Sequence, residues 1–231
     1  MSSLQAVFWD MDGTLVDTEP YWIQAEYDLV EAWGGQWDEA KAQLLVGQAL
    51  EFSASVLQDA GVGMETASIV DALMDRVIAR CAHEIPWRPG ALELLGSLRS
   101  AGVRQAMVTM SWGRLASAIA ERLPQDHLEF IISGDMVSRG KPDPEAYLLG
   151  FEKMSEQHVR LTGEALDKTR CIAVEDSIPG TAAAAGSGLV TLAVPHYSAL
   201  PESDQWHLAE SLSGLSAADL QNLLTKEPTA V

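Results

Sequence analysis

Two carboxylates stand two residues apart in Asp10-Met11-Asp12-Gly13-Thr14-Leu15-Val16, directly behind the apolar run Ala6-Val7-Phe8-Trp9. A buried strand ending in such a pair presents a nucleophile-grade aspartate and a partner carboxylate at the mouth of a sheet. Open α/β folds bind their ligands there. Gly13 permits a tight turn and Thr14 adds a hydroxyl. A D-x-D-G-T-L/V string arises by chance in roughly one chain in a thousand of this size, which favours chemistry over an incidental turn.

Three more polar positions follow apolar runs. Thr109 follows Gln105–Val108, and Glu175-Asp176 follow Cys171–Val174. Lys141 lies in the loop Ser138-Arg139-Gly140-Lys141-Pro142-Asp143-Pro144, beyond Phe130–Ile132. If these strands are parallel, one sheet edge gathers two or three carboxylates, a hydroxyl and an ammonium. That inventory suits phosphoryl transfer assisted by a divalent cation.

The elements that must position these groups alternate short apolar runs with helical patterns. The alternation indicates an α/β fold with a largely parallel, Rossmann-like sheet. Val190–Val194 reads as a fifth strand. Leu92, Leu95 and Leu98 recur at helical spacing before Gly102, Ala182 to Gly186 suggest a tightly packed helix, and Ser216 to Leu224 a terminal one. Asp143 reads as the start of a helix at Pro144-Glu145-Ala146-Tyr147. About ninety residues separate the first two strands, far more than one crossover helix needs. This stretch reads as several helices. Thr18 would cap the first at Glu19-Pro20, and Gly34-Gly35 would stop it. Others span about 38–46, 50–60 and 65–82, before Pro86 and Pro89-Gly90 break the chain. The expected organisation is a core domain, 1–16 with 87–231, and a helical cap domain, 17–86, inserted after the first strand. Asp17-Thr18 and residues 87–90 are its expected hinges.

The 231-residue chain is 47% hydrophobic, enough for a sizeable core, and carries a net charge of −18. A surface that acidic repels nucleic acid and anionic membranes. An anionic substrate would therefore need a local cation and a metal. Cys81 and Cys171 lack the spacing of a metal site or redox pair. The first residues lack a secretory pattern and no run has the length of a membrane span, so a cytoplasmic setting is expected. The five histidines lack metal spacing and read as surface or loop residues. Trp22 and Trp112 are candidate pocket walls, and Arg114 and Arg139 candidate anion anchors.

In motif content and order the chain resembles the haloacid dehalogenase superfamily, in its helical-cap phosphatase and β-phosphoglucomutase-like branch. The matching pieces run from Phe8 to Pro20, then Arg88-Pro89-Gly90, Val108-Thr109-Met110-Ser111, Gly140-Lys141-Pro142-Asp143-Pro144 and Val174-Glu175-Asp176-Ser177. The resemblance implies that Asp10 is the nucleophile and forms an aspartyl-phosphate. It makes Asp12 the group that protonates the leaving oxygen and later takes a proton from water. Thr109 and Lys141 complete the catalytic set, and Met11, Asp12, Thr109, Met110 and Lys141 surround the substrate phosphate. The implied cofactor is Mg2+, at Asp10, Asp12, Glu175 and Asp176 with a backbone carbonyl contributing and Glu175 ligating directly or through water.

The sequence departs from that pattern at Met110, where relatives carry a small or polar residue. It departs again at Gly47-Gln48-Ala49-Leu50, where mutase relatives place a phosphate-binding arginine at the position of Leu50. The expected function is a Mg2+-dependent phosphatase of a small phosphorylated metabolite such as a sugar phosphate, acting as a monomer or weak dimer. The alternatives are a β-phosphoglucomutase-like phosphomutase, which Leu50 disfavours, and a non-catalytic binding protein on the same fold. Asp12 and Asp176 speak against a dehalogenase.

Overall fold

The computed structural model describes residues 3–46, 50–124 and 127–226. They form two compact units, Thr18–Pro86 and the remainder of the described chain.

The larger unit is built on a six-stranded sheet in which every pairing is parallel. Its strands are β1 (Ala6–Trp9), β2 (Arg104–Val108), β3 (Ile131–Ile132), β4 (Cys171–Glu175), β5 (Val190–Ala193) and β6 (His207–Leu208), in the order β3-β2-β1-β4-β5-β6. All four residues of β1 are buried, as are all five of β4. Continuous rather than alternating burial belongs to parallel strands covered by helices on both faces. Helices α5 (Ala91–Ser100) and α7 (Glu145–Thr162) pack on β2, and α8 (Ile178–Gly186) packs on β4 and β5. Helices α6 (Gly113–Ala120) and α9 (Ala217–Leu223) complete this unit. The buried indole of Trp9 donates to Gln105 Oε1 at 3.0 Å, and Gln105 Nε2 donates to the Leu95 carbonyl at 3.1 Å. This polar chain across β1, β2 and α5 is thereby satisfied.

Register then decides the site. Trp9 lies opposite both Met107 and Val174. Asp10, Thr109 and Glu175-Asp176 therefore leave the sheet together at its carboxyl edge, the edge where open α/β sheets bind ligands.

The smaller unit contains α1 (Glu19–Ala32), α2 (Glu39–Leu45), α3 (Leu50–Asp59) and α4 (Thr66–His83). Ile69, Val70, Leu73, Met74, Val77 and Cys81 form the buried stripe of α4, at three- and four-residue spacing, and α1 and α3 pack on that helix. Within this unit α1 also buries Glu26, 4% exposed. Burial first, and the charge of Glu19 second, push its carboxyl up to about 8. The Trp37 indole lies close enough to oppose that shift, but without hydrogen-bond alignment.

Several local expectations change. Thr18 occupies the N-cap of α1, yet its side chain makes no capping bond, because its backbone is already helical at φ −83° and ψ −9°. Asp143 Oδ1 does accept the Glu145 N–H at 3.0 Å at the start of α7. Sequence periodicity assigns no element to α6 or β6, and both form. His207 is 2% exposed in β6, not a surface residue. Trp9 is fully buried, whereas Trp33 is 48% exposed. Gly47-Gln48-Ala49 lie outside the described residues, and Leu50 opens α3. No described helix is long and apolar enough to cross a membrane.

Candidate active site

Asp10 extends β1 by one residue, its N–H donating to the Val174 carbonyl at 3.0 Å. The chain then turns sharply. The Met11 carbonyl accepts the N–H groups of Thr14, Leu15 and Val16 at 3.3, 2.9 and 3.0 Å. Gly13 makes this turn at φ +86°, and a Cβ there would lie 2.1 Å from Asp176 Oδ2. Glycine is required on both counts: left-handed backbone and close approach of the opposing carboxylate.

Lys141 reaches into the same edge with its side chain 5% exposed. Its ammonium lies 2.6 Å from Asp10 Oδ1, 2.6 Å from Glu175 Oε1 and 3.0 Å from the Val108 carbonyl. Three acceptors match the three donors of an ammonium. Glu175, with no exposed surface, also accepts from the Tyr147 hydroxyl at 2.8 Å, and the Tyr147 ring centroid lies 5.0 Å from Lys141 Nζ. Asp176 follows at 8% exposure, and the Thr14 hydroxyl approaches its Oδ1 at 3.4 Å.

Burial works to lower the Lys141 ammonium, but Asp10 and Glu175 outweigh it and hold the pKa above the ordinary lysine range. The carboxyls move the other way. Burial, then the charge of Asp10, raises Glu175 to about 7 despite Lys141 and Tyr147. Burial, then Asp10 and Glu175, raises Asp176 to about 8. One ammonium is too little positive charge for three converging carboxylates. Asp10 Oδ2 is buried with no hydrogen-bond partner, and ligand oxygens of Asp10, Glu175 and Asp176 lie within 4.8 Å of one another. An orphaned anionic oxygen amid all-oxygen donors fits a hard divalent cation.

A second cluster adjoins the first. The Ser111 hydroxyl donates to Asp12 Oδ2 at 2.5 Å, and the Ser111 N–H donates to Thr109 Oγ1 at 3.0 Å. With its oxygen accepting from Ser111, the 1%-exposed Thr109 keeps its own O–H hydrogen for another partner. Met110 Sδ accepts the Lys141 N–H at 3.4 Å, so the unusual methionine buttresses the lysine loop.

A family model described as haloacid dehalogenase-like hydrolase matches residues 4–188. The chain belongs to that family. It is 28% identical over 197 residues to the phosphorylated carbohydrates phosphatase of Thermotoga maritima, spanning 80% of this chain and 82% of that one. It is 29% identical over 207 residues to the N-acetylmuramic acid 6-phosphate phosphatase of Pseudomonas aeruginosa, spanning 88% and 87%. Among solved structures, CbbY from Rhodobacter sphaeroides in complex with phosphate superposes with a TM-score of 0.75 at 26% identity, covering 91% of this chain and 96% of that one.

In this haloacid dehalogenase-like hydrolase the sheet edge brings together Asp10, Asp12, Thr109, Lys141, Glu175 and Asp176. Met11 is fully buried beside the Asp10 strand end, and Met110 is half-buried. The suggested anion anchors stay outside the group. Arg139 pairs with Asp143 at 2.9 Å and Glu145 at 3.3 Å, and Arg114 is exposed on α6. Trp112 is 37% exposed just ahead of α6, and Trp22 lies half-buried on α1 in the other unit. Sequence reasoning missed two contributors. Ser111 was legible as a hydroxyl two residues past Thr109. Tyr147 carries no sequence signal, being one aromatic among the apolar positions of a helix.

Proposed function

We propose that this hydrolase is a Mg2+-dependent phosphatase of phosphorylated carbohydrates that works through an aspartyl-phosphate on Asp10. The observation that carries the reading is the divided environment of the Asp10 carboxylate. One oxygen is held by Lys141 and the other is buried and unpartnered beside Asp176. The names of the phosphatase relatives support a sugar phosphate as substrate.

In the proposed reaction an Asp10 oxygen attacks phosphorus and the ester P–O bond breaks. Asp12 gives its proton to the departing alkoxide. A water then attacks the phosphoryl group, Asp12 takes a proton from it, and the bond to Asp10 breaks. Ester and water become alcohol and phosphate. Lys141 holds the nucleophile and neutralises phosphoryl oxygens, Thr109 donates its hydroxyl, and backbone N–H groups near Met11 and Met110 offer further donors. Glu175, with Tyr147, fixes Lys141. Asp10 and Asp176 would hold Mg2+, with Glu175 directly or through water and with Asp12 through its backbone carbonyl, since the Asp12 carboxyl is turned to Ser111 and lies outside the Asp10-Glu175-Asp176 cluster. The ion supplies charge neutralisation at the phosphoryl group when bound. The Thr18–Pro86 unit is proposed as a substrate-selecting cap.

The test is phosphate release from a panel of hexose, pentose, hexitol and amino-sugar phosphates, for wild type and Asp10→Asn, with Mg2+ or EDTA. A few strong substrates, lost on Asp10→Asn and on chelation, support the phosphatase. An isomeric sugar phosphate without phosphate release overturns it in favour of a mutase, and equal activity of Asp10→Asn removes the nucleophile.

A further inference from the structure

We infer that Ser111 is a positioning residue for the proton-transfer steps, holding the Asp12 carboxyl in the orientation that meets the leaving group. The inference rests on the phosphatase reading and adds to it a role for Ser111, which closes the Val108–Ser111 motif piece without a function assigned there and lies outside the metal cluster.

The Ser111 backbone is firmly held. Its N–H donates to Thr109 Oγ1 at 3.0 Å and its carbonyl accepts the Gly134 N–H at 3.0 Å. Two residues on, the Gly113 N–H donates to Asp135 Oδ1 at 3.0 Å. The turn from β2 into α6 is thus tied to the segment after β3 at two points. The approach is close: a Cβ on Gly134 would lie 2.1 Å from the Met110 carbonyl oxygen. No other residue type permits that contact without moving the turn.

The side chain has a different task. The turn needs only Ser111 backbone groups, and both are already satisfied. The hydroxyl donates to Asp12 Oδ2 at 2.5 Å. The pairing spans 99 residues of chain, from the end of β1 to the end of β2. It occupies one carboxyl oxygen and fixes the plane of the group, so proton delivery starts from one geometry rather than a set of rotamers. Effective proton transfer demands such placement, because small misalignments are costly. Thr109 joins the two clusters: it orients Ser111 by accepting its N–H and keeps its own hydrogen for the phosphoryl group.

The experiment compares Ser111→Ala and Ser111→Thr with wild type on p-nitrophenyl phosphate and phenyl phosphate, with Mg2+. Nitrophenolate departs without help, whereas phenolate gains from a proton. kcat/KM reports the step in which the leaving group departs. If Ser111 positions Asp12, Ser111→Ala loses about tenfold in kcat/KM on phenyl phosphate, the value of roughly one charged hydrogen bond. It loses less than about threefold on p-nitrophenyl phosphate, KM stays within about twofold, and Ser111→Thr, which keeps the hydroxyl, recovers most of the loss. Equal losses on both probes, no loss, or failure of threonine to rescue overturns the Ser111 role while leaving the phosphatase intact. A wild type inactive on both probes and on the sugar-phosphate panel overturns the phosphatase, and the Ser111 role with it. Thermal unfolding of each variant separates misfolding from mispositioning.

Discussion

Replacing Lys141 with methionine removes the positive charge at the centre of the site while keeping a side chain of similar reach. The ammonium makes two contacts of 2.6 Å, to Asp10 and Glu175, with its side chain only 5% exposed. At an effective dielectric near 20, a 2.6 Å pair is worth about 6 kcal/mol before desolvation. Removing three charged groups from water offsets most of that gain. The expected loss is therefore that of breaking a buried pair, about 3–5 kcal/mol. It also depends on pH. Glu175 and Asp176 stand at about 7 and about 8 in the fold, above their ordinary 4.5 and 3.8. The folded state keeps protons that the unfolded chain has released, so stability falls as pH climbs from about 4 to about 8. Without Lys141 both carboxyls are driven higher and the fall steepens. Urea unfolding, followed by tryptophan fluorescence in EDTA, should show a loss of about 3–5 kcal/mol for Lys141→Met at pH 8.5 and less than about half of that at pH 5. Mg2+ should restore part of it at the higher pH. A loss below about 1 kcal/mol at pH 8.5, or one that is the same at both pH values, would refute the argument that this ammonium balances buried carboxylates.

Glu26→Gln should stabilise the helical unit by about 1–3 kcal/mol at pH 8.5 and by less than about 1 kcal/mol at pH 5. The wild-type carboxyl, raised to about 8 from 4.5, weakens folding between those values, and glutamine carries no charge to bury. Urea unfolding at the two pH values checks this, and a pH-independent effect counts against it. Tyr147→Phe deletes the 2.8 Å bond to Glu175 but keeps the ring beside Lys141. Stability should drop by about 1–3 kcal/mol, and kcat severalfold with little change in KM. An unchanged kcat would separate Tyr147 from the positioning of Lys141.

The legible part of this fold is the local part. Ala6–Trp9 reads as a buried strand because four consecutive apolar residues leave no polar face, and that is how β1 is buried. The spacing of Ile69, Leu73 and Val77 specifies the packed face of α4 in the same way. Elements without a local signal escape. Helix α6 begins at glycine behind Trp112, which makes no side-chain cap, so nothing announces its start. Strand β6 is two residues long and exists because β5 offers it an open edge. Thr18 has the right identity for a cap but the wrong backbone, which its neighbours rather than its own type impose.

The sequence by itself determined which groups are available: an aspartate pair behind an apolar strand, a lysine between glycine and proline, and an acidic pair behind another strand. Side-chain chemistry and strand periodicity are properties of short segments, and they survive without any knowledge of packing. Tertiary structure decided how the groups are shared. Lys141 meets Asp10 across 131 residues, Ser111 meets Asp12 across 99, and Tyr147 meets Glu175 across 28. Those pairings follow from the parallel register of β1, β2 and β4 and from the seating of α7 against the sheet. The raised carboxyls and the orphaned Asp10 oxygen likewise arise only when burial strips water from charges that the register has crowded together.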